Sequence, residues 1–186
     1  MDDEVLDELR KQAENARKHA PGFTWHNRSP EGKSIAEWGV DTALIEAMRE
    51  SGELEYHTVV CSSDSWPDCW VCDATGERIP VEVTELVDQS ALPDRLASPW
   101  SDEAIVAGIK HLVEAKDVRS EAGRGVRRSL LVIHTDEPCI EPEQVSRAIE
   151  SVRFALPAAT IRRAFLLFGY RRSHYPFLEL PLRGEE

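Results

Sequence analysis

Between Ser129 and His134 the chain reads SLLVIH, with four apolar residues in succession and no polar alternation. Successive residues of a strand point to opposite faces, so such a strand presents apolar side chains on both. Both faces must then be covered, and a parallel sheet with helices on either side is the common solution. Ala164–Tyr170, AFLLFGY, repeats the pattern. Between the two runs, Glu141–Ala155 carries Val145, Ala148, Ile149 and Val152 at helical spacing, and Pro157 breaks it. Strand, helix, strand in that order predicts a crossover unit within an α/β sheet.

At 186 residues the chain is long enough for one domain with a substantial core. No apolar run approaches the length of a membrane span. The first ten residues, MDDEVLDELR, are acidic and polar, unlike a signal or transit peptide. The expectation is a cytoplasmic protein without membrane contact.

Residues 2–20 carry Leu6, Leu9, Ala13, Ala16 and Ala20 at helical spacing, and Pro21-Gly22 ends that helix. Phe23–Lys33 reads as a loop, so 1–33 forms an N-terminal helix and loop packed on a domain of residues 34–186. Ser34–Glu50 predicts a second helix. Ser34-Ile35-Ala36-Glu37 has the form of a capping box, with Ser34 as N-cap and Glu37 reaching back. Ile35, Trp38, Ile45 and Met48 make its buried stripe, Gly39 offers a close backbone approach, and Ser51-Gly52 stops it.

Three short strands follow: Tyr56–Cys61, Pro67–Cys72 and Arg78–Leu86, with Ala74–Glu77 as the turn between the last two. In the third strand Ile79, Val81 and Val83 alternate with Glu82 and Thr84, which share the opposite face. Asp68 lies across one hairpin from Glu82, so the two carboxylates can meet. A helix then runs from near Trp100 to about Lys116, with Ser98 or Ser101 as N-cap. Its stripe of Ile105, Ile109 and Leu112 is continued by Lys116. Two readings of that lysine stand. It can end the helix and snorkel outward, or it can point inward, where a buried ammonium needs a partner. Residues 117–128 read as a basic loop. Asp136 and Glu137 close the strand that begins at Ser129. Phe177–Leu182, flanked by Pro176 and containing Pro181, suits an edge strand.

Pro67-Asp68 followed by Glu82-Val83-Thr84 on the next strand resembles the motif of the PD-(D/E)XK nuclease-like superfamily. The resemblance covers roughly residues 34–170. It implies an α/β fold with a mixed central β-sheet flanked by helices, a restriction-endonuclease-like core carrying an extra N-terminal helix. It further implies that Asp68 and Glu82 hold Mg²⁺ or Mn²⁺, with the Val83 backbone carbonyl completing the set. Some relatives add a Glu from the first core helix, and Glu46 is the candidate because Glu37 is assigned to the cap. The family's lysine is replaced here by Thr84. The inward reading of Lys116 would restore it from the neighbouring helix, making Asp68, Glu82 and Lys116 the catalytic set.

The formal net charge is −12, and it is confined to the first half. Residues 1–100 hold 9 Lys/Arg against 21 Asp/Glu, whereas 101–186 hold 13 of each. The later half has Arg pairs at 127–128, 162–163 and 171–172, which offer contacts to DNA or RNA phosphate or else form a solvated surface. The acidic first half suits a basic protein partner. His57, Cys61, Cys69 and Cys72 contain one Cys-x-x-Cys spacing, but strand positions 69 and 72 face opposite ways, which favours buried thiols over zinc. Two functions therefore compete: a metal-dependent nuclease hydrolysing phosphodiesters, and a catalytically inactive protein of the same fold that binds protein or nucleic acid.

Overall fold

The computed structural model describes residues 30–53, 55–62, 66–87, 100–121, 129–137, 139–151, 156–157, 160–169 and 176–183. The expected helix at 2–20 lies outside them. The described chain is α/β, with three helices and a six-stranded mixed sheet. In chain order the elements are α1 (Pro30–Glu50), β1 (Tyr56–Cys61), β2 (Cys69–Asp73), β3 (Arg78–Glu85), α2 (Asp102–Glu121), β4 (Ser129–Thr135), α3 (Pro142–Ser151), β5 (Leu156–Pro157), β6 (Ile161–Phe168), β7 (Phe177–Leu180) and β8 (Leu182–Arg183).

The sheet order is β1-β2-β3-β4-β6-β7. β1, β2 and β3 form an antiparallel meander. β3–β4 and β4–β6 are parallel, and β7 closes the sheet antiparallel to β6. β5 and β8 pair separately. The two apolar runs thus occupy adjacent parallel strands inside the sheet, β4 and β6. Every residue of β4 is buried. Leu130 and Val132 pack with Val40, Leu44 and Met48 of α1. Leu131 and Ile133 pack with Ile105, Ile109 and Val113 of α2. One strand serves two cores, which is why its sequence lacks polar alternation.

Local signals explain most boundaries. Glu53 N–H donates to the Met48 carbonyl over Gly52, whose φ of 89° needs a residue without Cβ. Gly76, at φ 83°, turns the β2–β3 hairpin, with Asp73 Oδ1 accepting from the amides of Thr75 and Glu77. Ser101 Oγ accepts from Ala104 N–H and caps α2.

Three expectations need correction. α1 starts at Pro30 rather than Ser34, because proline suits a first helical position whose N–H would be unsatisfied anyway. Ser34 is therefore inside the helix, and Glu37 is not a capping-box residue. Trp38 is 42% exposed and Gly39 has open space where a Cβ would stand. Ile45 and Met48 are buried as expected, the Ile35 side chain lies outside the described residues, and a buried row of Glu37, Asp41, Leu44 and Met48 runs at steps of four, three and four. Finally, the segment 117–121, expected as loop, continues α2.

Candidate functional site

Asp68 stands just before β2, where its N–H donates to the Val81 carbonyl at 3.1 Å and extends the β2–β3 ladder by one step. Its Oδ2 accepts from the Val83 amide at 2.8 Å. That bond fixes the carboxylate against β3 beyond the end of the regular pairing. Val81 and Val83 direct their backbone groups toward the same neighbour, by the two-residue period of the ladder. The Val83 carbonyl therefore faces the side where β2 has not yet begun. Glu82, between them, projects from the opposite face to Val81 and Val83 and is also buried.

Lys116 reaches this point from α2. Its Nζ donates to Glu82 Oε2 at 2.7 Å and lies 3.4 Å from Asp68 Oδ2. The three side chains are only 7–12% exposed. The apolar stripe of α2 turns Lys116 toward the sheet, as Ile105, Ile109 and Val113 are fully buried above it. The next residue pins the helix. Asp117 Oδ1 accepts from both the Thr160 amide, at 2.8 Å, and the Thr160 hydroxyl, at 2.6 Å. Thr160 in turn accepts at its carbonyl from Ser129 N–H, where β4 starts. So the inward reading of Lys116 describes its position. A buried ion pair of this kind gives little net stability against an apolar replacement, but breaking it from one side is costly.

On the other face of the sheet, α1 brings two more carboxyls. Asp41 is 1% exposed and Glu37 is buried. Neither Asp41 oxygen forms a well-aligned hydrogen bond. Burial pushes the Asp41 pKa well above the usual carboxylate range; the Cys69 thiol opposes the rise, while the Asp68 and Glu37 carboxylates add to it. Asp41, Glu37 and Asp68 thus feel one another through the start of β2. Glu46, the expected helix carboxylate, is exposed instead. It sits five positions after Asp41, about 140° around the helix. The missed signal was in the sequence: Glu37 and Asp41 continue the stripe of Leu44 and Met48, as Lys116 continues that of α2.

Thr84 is half-buried on the Glu82 face. Its side chain carries no positive charge. Among the described residues no three His, Cys, Asp or Glu side chains converge closely enough to form a ready ligand set. His57 is exposed, Cys69 is buried in the α1-side core and Cys72 is half-buried on the opposite face; the Cys61 side chain lies outside the described residues. Asp136 bonds the end of β4, where its Oδ1 lies 3.2 Å from His134 Nε2. Gly169 abuts this pair so closely that a Cβ there would collide with both side chains.

The arginine pairs 127–128 and 171–172 lie outside the described residues. Arg163 is held by carboxylates: Nε and Nη2 donate to Glu179 at 2.6 and 2.8 Å, and Nη1 donates to Glu55. Arg162 lies 3.4 Å from Glu55. Among the described residues no helix is long and apolar enough to cross a membrane. No protein-family profile, curated protein or solved structure matches this chain.

Proposed function

We propose that the chain is a metal-dependent phosphodiesterase of the PD-(D/E)XK type, in which α2 supplies the lysine that β3 lacks. The observation that carries this reading is Lys116 Nζ within 2.7 Å of Glu82 and 3.4 Å of Asp68, a carboxylate pair brought together from the start of β2 and the middle of β3. The antiparallel meander feeding a parallel pair, with a helix on each face, suits a restriction-endonuclease-like core.

The residues fit a hard divalent cation in chemistry. Carboxylate oxygens and a backbone carbonyl are the donors that Mg²⁺ and Mn²⁺ prefer. Asp41 adds a buried carboxyl with no well-aligned hydrogen bond, next to two further acids. Asp68, Glu82 and the Val83 carbonyl would hold the ion, with Glu37 and Asp41 on the opposite face of the sheet. When bound, such an ion polarises the phosphate and lowers the pKa of a coordinated water. The chain's own contribution is positional. The Val83 amide orients Asp68. Lys116 supplies a donor and a positive charge beside the carboxylates, suited to stabilising charge that builds on phosphate oxygens. Thr84 can hydrogen-bond a water but adds no charge.

A second reading has its own support. The ammonium of Lys116 already balances part of the carboxylate charge, and the described residues form no three-ligand cluster. On that reading the fold binds a partner through its acidic surface and the ion pair is structural. Hydrolysis of single- and double-stranded DNA and RNA with Mg²⁺ or Mn²⁺ separates the two. Cleavage that disappears in Glu82→Gln and Asp68→Asn, with unfolding midpoints kept, supports the enzyme. Absence of cleavage in the wild type supports the binding module, and cleavage that survives both variants overturns the assignment of Asp68 and Glu82.

A further inference from the structure

We propose that Lys116 is a built-in competitor for the divalent cation: its ammonium holds Glu82 and Asp68 until the ion displaces it. This inference rests on the reading of those carboxylates as the metal site, and it concerns how that site is regulated.

A lysine that only orients a water need not touch the acids. Here Nζ is in direct hydrogen-bond contact with Glu82 Oε2 at 2.7 Å and approaches the same Asp68 oxygen that receives the Val83 amide. Mg²⁺ binds oxygen at about 2.0–2.1 Å, so an ion taking Glu82 Oε2 and Asp68 Oδ2 would claim the same oxygens. Charge adds a second constraint. Two carboxylates with one ammonium leave a single negative charge, and the three side chains are at most 12% exposed. A divalent ion added with the ammonium in place would leave excess positive charge in a poorly solvated position, which is costly. Release of the ammonium restores neutrality.

The surroundings determine what moves. Asp117 is tied to Thr160 through its side chain and its carbonyl, so α2 is held at the adjacent residue. Displacement is then a rotation of the lysine's four-carbon stem, whose rotatable bonds let the head swing outward while the stem stays packed. The lysine would hold the acids together before the ion arrives and stand beside the loaded site afterwards.

The test is Mn²⁺ affinity of the full chain, read from the free-ion paramagnetic resonance signal, for wild type, Lys116→Met and Lys116→Gln. Competition predicts a Kd at least about tenfold lower in both variants, equivalent to about 1.4 kcal/mol. Equal or weaker binding in the variants overturns the competition while leaving a metal site in place. No binding to any of the three proteins overturns both the competition and the metal-site reading. A second measurement needs no variant: acetylation of Lys116 by an activated ester, followed by peptide mass spectrometry with and without Mg²⁺. Displacement predicts faster labelling with the ion present; unchanged or slower labelling overturns it.

Discussion

Two charged clusters sit on this sheet, and they are built to opposite rules. One gathers Arg163 with Glu179, Glu55 and Glu53 across β6, β7 and the lead into β1. Its cation makes a two-pronged bond to Glu179 and lies 4.8 Å over the Phe165 ring. Glu179 holds the Arg163 guanidinium more firmly protonated, and Arg163 holds the Glu179 carboxyl below its usual range. The guanidinium is shared among half-exposed carboxylates that water can also reach. The other cluster pairs Asp68 and Glu82 with Lys116 on the α2 side of the sheet, with Glu37 and Asp41 across from them on the α1 side. There the ion pair is buried, and Asp41 is buried without a well-aligned hydrogen bond. The first arrangement stabilises the fold. The second retains an electrostatic cost that packing alone does not require, which the proposed metal site would account for.

The sharpest way to break this contrast is to cross activity with stability. Glu82→Gln and Asp68→Asn should lower phosphodiester hydrolysis by about 10²–10³-fold or more, the scale of losing one directed electrostatic interaction in a site. Arg163→Ala should leave hydrolysis unchanged and lower stability by about 1–2 kcal/mol, through lost charge-assisted bonds and lost packing on Phe165. Rates are measured well below each midpoint, and stability by urea unfolding. If Arg163→Ala removes cleavage in a folded protein, the division between the clusters is wrong.

The same contrast explains what could be read in advance. The apolar runs at 129–134 and 164–170 require a doubly covered sheet, and residues 130–133 of β4 serve two cores. Lys116 and the Asp68–Glu82 pair were legible because strand and helix periods fix which way side chains point. Glu37 and Asp41 follow the same rule but were obscured by a capping pattern at Ser34 that lies inside the helix. The capping box is a local signal. Pro30 four residues earlier is an equally local one, and the sequence alone does not rank them. The Arg163 network was not legible, since Glu179 meets it only through the pairing of β7 with β6 and Glu55 lies 108 positions away. Arg162 and Arg163 both face acids, Arg163 in a two-pronged bond to Glu179 and Arg162 through one 3.4 Å contact to Glu55.

Acid titration sharpens the comparison further, because the two clusters should respond with opposite signs. Burial raises the pKa of Asp41 in the folded state. Above about pH 4, where an unfolded Asp loses its proton, the folded protein still holds it. The unfolded state then binds fewer protons, so stability falls as pH rises toward the folded pKa. The slope from this group reaches about 1.4 kcal/mol per pH unit at most. Asp41→Asn removes the titration with little change of shape. The stability of the variant relative to wild type should therefore increase from about pH 4 upward and level off once Asp41 ionises in both states. A difference that stays flat across this range would mean that Asp41 is solvated or paired in solution.

Glu179 provides the smallest effect and the opposite slope. Arg163 lowers its pKa in the folded state. The pair therefore contributes fully above the unfolded Glu pKa, near 4.3, and the contribution is lost as pH falls through the lower folded value. Glu179→Gln should destabilise at neutral pH and converge with wild type in acid, where both side chains are neutral. The effect is modest, as the Glu179 side chain is 48% exposed and water screens it. Salt supplies the control. Raising ionic strength should shrink the Glu179→Gln difference, since exposed pairs are screened within a Debye length, but should hardly alter the Asp41→Asn difference, which arises mainly from desolvation. Urea unfolding at several pH values, each at low and high salt, measures both. Equal salt sensitivity in the two variants would place Asp41 in contact with solvent and dissolve the distinction between a cluster built for stability and one built around a site.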